Sequence, residues 1–254
     1  MTVRRGLIGR RAAIVLATLS TGARAEGGGA PIFAAGATMH AVTAMQVARR
    51  AAGQPVPGAL FDTAGAVRDR ILAGERPAVA LLTAEGMEAL AARGIVARDG
   101  VAELGRTGVG LAAPLGRPVP DIATPEALRA ALLGAESVAM ADPARGATAG
   151  RHFVGLLDRL GIAAAMRPRL RLVPFGAEGV EMAAHGEVAL AVSQATEIVG
   201  REGVQLVGLL PEALNLWTAY RIAVVADGAE ARELFALLTG DAARGAFARS
   251  GFRP

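Results

Sequence analysis

Compact apolar runs and amphipathic stretches alternate along this chain. The runs at 31–34, 56–61, 78–82 and 107–113 are short and apolar, and they read as strands. So do 137–141, 170–173, 188–193, 204–209 and 217–226. Between them, apolar residues recur with a helical period. That spacing predicts helices over 40–52, 66–73, 85–92, 148–160, 177–185, 229–238 and 241–249. A further helix opens at Thr124-Pro125-Glu126, a capping residue followed by a proline in the first turn, and runs to Leu133. Gly74, Gly94 and Gly161 stop the helices before them. Strand and helix in turn predict an α/β fold with mostly parallel sheets. No fixed-period repeat and no low-complexity linker interrupts the pattern.

Several of the strands run into a turn of small residues and then directly into a helix. The four turns are Ala34-Ala35-Gly36-Ala37-Thr38, Phe61-Asp62-Thr63-Ala64-Gly65, Asp142-Pro143-Ala144-Arg145-Gly146-Ala147-Thr148 and Pro174-Phe175-Gly176-Ala177. A strand, a small-residue turn and a helix together aim free backbone N–H groups and a positive helix end at one point. That is the physics of an anion site. Ordinary strand-to-helix loops use the same residues, so the weight lies in having four of them in one chain.

The runs at 107–113 and 220–225 are placed to cross between two lobes. Residues 26–106 with 221–254 then form one lobe, and 107–220 the other. The four turns would face each other across a cleft. One continuous doubly wound domain is the arrangement that the pattern alone leaves open.

The first residues belong to a different kind of segment. Arg4, Arg5, Arg10 and Arg11 form a basic head, residues 12–19 an apolar stretch, and Ala23-Arg24-Ala25 a small-x-small cleavage site. Residues 1–25 read as a secretory signal peptide, with an apolar part too short to span a membrane. Periplasmic localisation follows. Arg4-Arg5 leaves the general and twin-arginine export routes open.

Removing that segment changes the charge. Five of the 27 basic residues lie in it, leaving 22 against 23 acidic ones. A nearly neutral mature chain gives no electrostatic reason to expect nucleic acid as a partner. One Trp and one Tyr give no stacking platform for bases either. The absence of cysteine excludes disulfides, thiolate metal sites and a cysteine nucleophile. His40, His152 and His185 are too scattered for a zinc motif, so neither metal nor cofactor is expected.

At the level of motifs the chain resembles the periplasmic molybdate-binding proteins, the substrate-binding components of ABC transporters with the type II two-lobe fold and two crossing hinge strands. The resemblance rests on Phe33-Ala34-Ala35-Gly36-Ala37, on the segment from Phe61 to Gly74, on the segment from Asp142 to Gly150, and on Phe247-Ala248-Arg249-Ser250-Gly251-Phe252. It implies a monomer that holds a small anion in the interlobe cleft and delivers it to an inner-membrane permease. Members of that family grip a tetrahedral oxyanion with backbone N–H groups, hydroxyls and a tyrosine. Here Ala37 replaces the usual serine, Thr63-Ala64-Gly65 a serine-rich turn, and Gln194 the tyrosine. The ligand therefore stays open between a molybdate- or tungstate-like oxyanion and a small carboxylate.

The candidate ligand contacts are Ala37 and Thr38 in the first turn, and Thr63, Ala64, Gly65 and Arg68 around the second. Arg145, Ala147 and Thr148 follow in the third, Gly176 and Ala177 in the fourth, and Gln194 at a strand end. Thr63 can also cap its helix, and Thr148 reads as a cap too. Arg145 could clamp a carboxylate bidentately. Isomerisation of small unsaturated carboxylic acids on the same scaffold is the alternative function. It needs a base, for which His40, Asp62 and Glu178 are candidates. No Gly-x-Ser-x-Gly elbow is present, and no catalytic residue is assigned.

Overall fold

Ile32–Ala35, an apolar run with no polar member, forms β1. It pairs in parallel on one side with β2 (Ala59–Asp62) and on the other with β3 (Val79–Thr83). Every residue of β1 and β3 is buried, as befits strands covered on both faces. The computed structural model describes residues 32–254. The expected signal peptide at 1–25 lies outside them.

The helices α1 (Met39–Ala51), α2 (Ala64–Leu72) and α3 (Ala84–Ala92) follow these strands. The chain then forms β4 (Val101–Thr107) and, after Gly108 alone, β5 (Val109–Pro114). From β5 it builds a second unit: α4 (Pro125–Gly134), β6 (Val138–Ala141), α5 (Thr148–Arg159), α6 (Ala163–Met166), β7 (Leu170–Val173), α7 (Gly176–Ala184), β8 (Leu190–Gln194), α8 (Ala195–Ile198) and β9 (Val204–Leu209). It returns through 210–217 to β10 (Thr218–Val224) and closes with α9 (Ala229–Thr239) and α10 (Asp241–Arg249).

Two five-stranded sheets result, in the orders β2-β1-β3-β10-β4 and β7-β6-β8-β5-β9. The expectation of mostly parallel sheets is corrected: each is mixed. β10 runs antiparallel to β3 and β4, and β5 runs antiparallel to β8 and β9. The cause is the crossing itself. A strand that arrives from the other sheet enters its own against the direction of the strands wound within it.

Each sheet is packed on both faces. Leu81, Ile222 and Phe247 fill one side of the first, and Val67, Ile71 and Leu90 the other. Leu111, Met140 and Phe153 do so for one face of the second, and Val180, Val188 and Ala191 for the other. Phe252 packs edge-on against Tyr220 and Phe247, with ring centroids 5.6 and 5.3 Å away.

The C-terminus is stitched to the first crossing. Arg106 N donates to Arg253 O at 2.7 Å, and Arg253 N to Arg106 O at 2.8 Å. Trp217, on the second crossing, has the guanidiniums of Arg106 and Arg253 at 5.3 and 5.0 Å from its ring centroid. Its indole Nε1 donates to Glu212 Oε1 at 3.2 Å.

Candidate functional site

The C-terminal ends of β1 and β2 from the first sheet, and of β6 and β8 from the second, converge on one point. Strand ends of this kind are where α/β sheets place their ligands. They enclose a cavity of about 30 Å³. The first sheet supplies Ala35, Gly36, Ala37, Asp62, Thr63, Ala64 and Tyr220 to its wall. The second supplies Ala141, Ala147, Thr148, Ala149, Phe175, Gly176, Ser193, Gln194 and Glu197.

Three helices begin on this wall. α2 is capped internally, with Thr63 Oγ1 accepting from Ala66 N at 3.1 Å. α5 and α7 have Ala147 and Phe175 at the capping position and no side-chain cap. The start of α5 and its positive end face the cavity, whereas in α7 the Ala177 N–H is taken by Glu197 and Glu178 N donates to Phe175 O at 3.2 Å.

A carboxylate already reaches between the turns. Glu197 is 8% exposed and lines the cavity. A Cβ on Gly36 would lie 2.6 Å from Glu197 Oε1, and one on Gly176 would lie 2.4 Å from Oε2. A side chain at either point would push the carboxylate from its present position. Ser193 Oγ donates to Glu197 Oε2, and the backbone N–H groups of Gln194 and Ala177 donate to the same side chain. Burial raises the Glu197 carboxyl above its ordinary pKa, against the opposing pull of Ser193, of those backbone groups and of Arg201.

Two further side chains bear on the chemistry. Burial, reinforced by the Glu197 charge, raises the pKa of the Tyr220 phenol, which stays protonated and able to donate. Gln194 Nε2 donates to Thr218 Oγ1 at 3.3 Å, while its Oε1 is buried with no partner.

Of the residues singled out from the sequence, Ala37, Thr63, Ala64, Ala147, Thr148, Gly176 and Gln194 lie on the cavity wall. Five are placed elsewhere. Thr38 turns its hydroxyl to Ala35 O at 2.8 Å. Ala177 gives its N–H to Glu197. Arg68 pairs with its neighbour Asp69 at 2.7 Å. Gly65 and Arg145 serve contacts between the two halves. Gly65 N donates to Gly146 O at 3.3 Å, and Thr63 Oγ1 donates to Arg145 O. The Arg145 side chain, 46% exposed, reaches Pro174 O at 3.2 Å and Asp62 Oδ1 at 3.6 Å.

Thr148 is not a cap. Gly146 adopts φ +75°, the left-handed conformation that ends the preceding turn, so Ala147 becomes the extended residue before α5. Among the candidate bases, Asp62 lines the cavity, and His40 and Glu178 do not. His40 packs instead on Gly200, where a Cβ would lie 2.5 Å from its Cε1. Glu197, Ser193 and Tyr220 were missed by the sequence reading. The available signal for Glu197 was a lone acid inside the otherwise uncharged stretch 188–200.

Among the described residues, no group of three or more metal-ligating side chains could hold an ion, and no helix is long and apolar enough to cross a membrane.

The fold has well-defined relatives. The periplasmic molybdate-binding protein of Azotobacter vinelandii superposes with a TM-score of 0.69 at 16% identity, over 89% of this chain and 99% of that one. PEB3 of Campylobacter jejuni, solved with L-phospholactate bound, gives 0.61 at 11% identity, over 89% and 99%. These likenesses establish the two-lobe α/β architecture. In sequence, a Pseudomonas protein named aconitate isomerase is 31% identical over 196 residues, 76% of this chain and 73% of its own length. A family model described as bacterial extracellular solute-binding protein matches residues 31–253. With nearly the whole described chain inside that match, and a cleft between two lobes at its centre, the protein belongs to the bacterial extracellular solute-binding protein family.

Proposed function

We propose that this chain is the periplasmic binding component of an ABC importer, exported by a signal peptide at 1–25, and that it holds a small anion, a carboxylate, in its interlobe cleft, whose lobes part to admit it because the cavity of about 30 Å³ has room for little more than water. The observation that carries the reading is the start of α5, which has no side-chain cap and opens on a cavity between the two sheets with the Tyr220 phenol on its wall. Backbone N–H groups of the Ala147-Thr148 and Gly176 turns, together with Ala37 and the Thr63-Ala64 turn, are the contacts that we assign to the ligand. Gly65, Arg68, Arg145, Thr38 and Ala177 act around them.

The lobes that we assign are 26–106 with 221–254, and 107–220. Their hinges lie at Gly108 and along 210–217, where the chain passes between sheets. The pairing of Thr107 with Thr218 in the first sheet favours drawing both boundaries inward by a few residues. The protein acts as a monomer that docks on its permease when closed.

The buried carboxylate tilts the ligand class. Glu197 in an otherwise anion-seeking cavity disfavours a permanently ionised oxyanion such as molybdate and favours an acid that can carry a proton. Titration calorimetry of the purified protein with molybdate, tungstate, sulfate, phosphate, citrate, tricarballylate and both aconitates tests this. Binding of one or more of the carboxylates supports the reading. Binding of only sugars, amines or metal cations in a wider screen defeats it.

A second reading has one observation in its favour. Glu197 is a buried group of raised pKa on the cavity wall, which is the profile of a general acid–base, and the Pseudomonas relative bears an isomerase's name. Incubation with cis- or trans-aconitate, followed by NMR, decides it. Interconversion that disappears in Glu197→Gln would make the protein an enzyme.

A further inference from the structure

The cavity holds too many acceptors for a fully ionised anion. The Glu197 carboxylate stands in it, and Gln194 Oε1 is buried beside it without a donor. An anion with no hydrogen to give would meet one negative charge and one orphaned carbonyl. We propose that the site takes its ligand together with one proton, held between a ligand oxygen and Glu197, so that its ligand is a weak carboxylic acid and never a proton-free oxyanion. This rests on the reading of the cleft as an anion site and names the chemistry that the site selects.

The geometry favours Glu197 as the group that shares the proton. Its two oxygens approach Gly36 of the first lobe and Gly176 of the second, so the carboxylate spans the join on which closure depends. With Glu197 ionised, its charge satisfies the start of α7 and repels an incoming anion. With a proton between them, the same N–H groups serve both carboxyls, and the O–H···O⁻ bond is of the strong, charge-assisted kind.

The other charged groups around it do not replace this role. α8 packs on α1, α7, β5, β8, β9 and the turn at Gly36–Thr38. Of these, β5, β8, β9 and the turn carry no charge; α1 carries His40, Arg49 and Arg50, and α7 carries Glu178 and Glu181. Arg201, just beyond α8, lowers the Glu197 pKa without overcoming burial, and Tyr220 remains a neutral phenol. Asp62, the other carboxylate on the wall, is held by Thr63 N at 2.7 Å and by Arg145.

The test is calorimetry of the full mature chain with citrate, tricarballylate, trans-aconitate and sulfate, at acidic, neutral and alkaline pH, in buffers of different ionisation enthalpy. We expect a carboxylic acid to bind with uptake of close to one proton at alkaline pH. Its affinity should fall by about tenfold per pH unit above the pKa of free Glu197. In Glu197→Gln the proton uptake and the pH dependence vanish, and sulfate gains at least about tenfold, in line with relief of charge repulsion. Carboxylate binding to the unaltered protein without proton uptake overturns this proposal and leaves the anion-site reading standing. Tighter binding of sulfate than of every carboxylic acid overturns it as well. Failure of every anion to bind overturns both.

Discussion

A Cβ placed on Gly65 would lie 2.7 Å from the Cα of Gly146, and one on Gly146 would lie 2.7 Å from the Cα of Gly65. The two residues come from opposite lobes, and they meet backbone to backbone. Gly65 is the second residue of α2, where alanine would stabilise the helix by about 0.5–1 kcal/mol relative to glycine. Gly65→Ala should therefore leave the melting temperature of the ligand-free protein unchanged or raised. The closed form should lose about 1–3 kcal/mol to the clash, a fall in ligand affinity of about tenfold. Calorimetry beside small-angle scattering would check this; unaltered affinity with an unaltered radius would count against closure through this contact.

Glu197 sets the direction of a pH effect on stability. Its folded pKa is raised, so between the unfolded value and the folded one the native state binds more protons than the unfolded state. Stability then falls as pH rises through that window and levels off above it. Glu197→Gln has no such slope. The melting temperature of Glu197→Gln minus that of the unaltered protein should grow as pH rises above the ordinary carboxylate range. A constant difference would remove Glu197 from the account.

Thr63 makes two bonds with one hydroxyl: it accepts from Ala66 N and donates to Arg145 O. Thr63→Ala should cost about 1 kcal/mol of folding stability through the lost cap. It should weaken ligand binding as well, through the lost bond between lobes. Thr63→Ser restores both. Chemical denaturation in the absence of ligand, set against affinity, separates the two effects.

The Arg145–Asp62 pair joins the lobes across 3.6 Å at a site where the arginine is 46% exposed. Solvent screening limits such a pair to about 0–1 kcal/mol. Arg145→Ala and Asp62→Ala should each reduce affinity by no more than about fivefold, and the double variant by no more than either one. A loss of a hundredfold for Arg145→Ala alone would instead make Arg145 a direct clamp on the ligand.

Much of the fold was legible because its strands are buried on both faces. β1, β3 and β6 are unbroken apolar or small-residue runs, β8 is one up to Gln194, and the helices between them keep a clear period. β4 was missed because it is an edge strand whose Glu103 and Arg106 break the apolar run, which is how an exposed edge avoids pairing with strangers. The cavity turns were found by their small residues. Glu197 was not, because α8 is too short to leave a periodic signal and a single acid reads as surface until its burial is known. Tyr220 read only as part of a crossing strand. Its place on the cavity wall depends on β10 pairing between β3 and β4, a contact with no local trace in the sequence.

The closeness of two guanidiniums, of Arg106 and Arg253, to one indole gives the molecule a built-in optical gauge. Trp217 is the sole tryptophan of the chain, and it lies on the segment by which the chain passes from the second sheet back to the first, the proposed hinge. Rotation would alter the distance from the ring to one cation or the other, and with it the emission that the ring gives. Opening and closing can then be followed in unlabelled protein, ligand by ligand, without any dye that would itself burden the hinge.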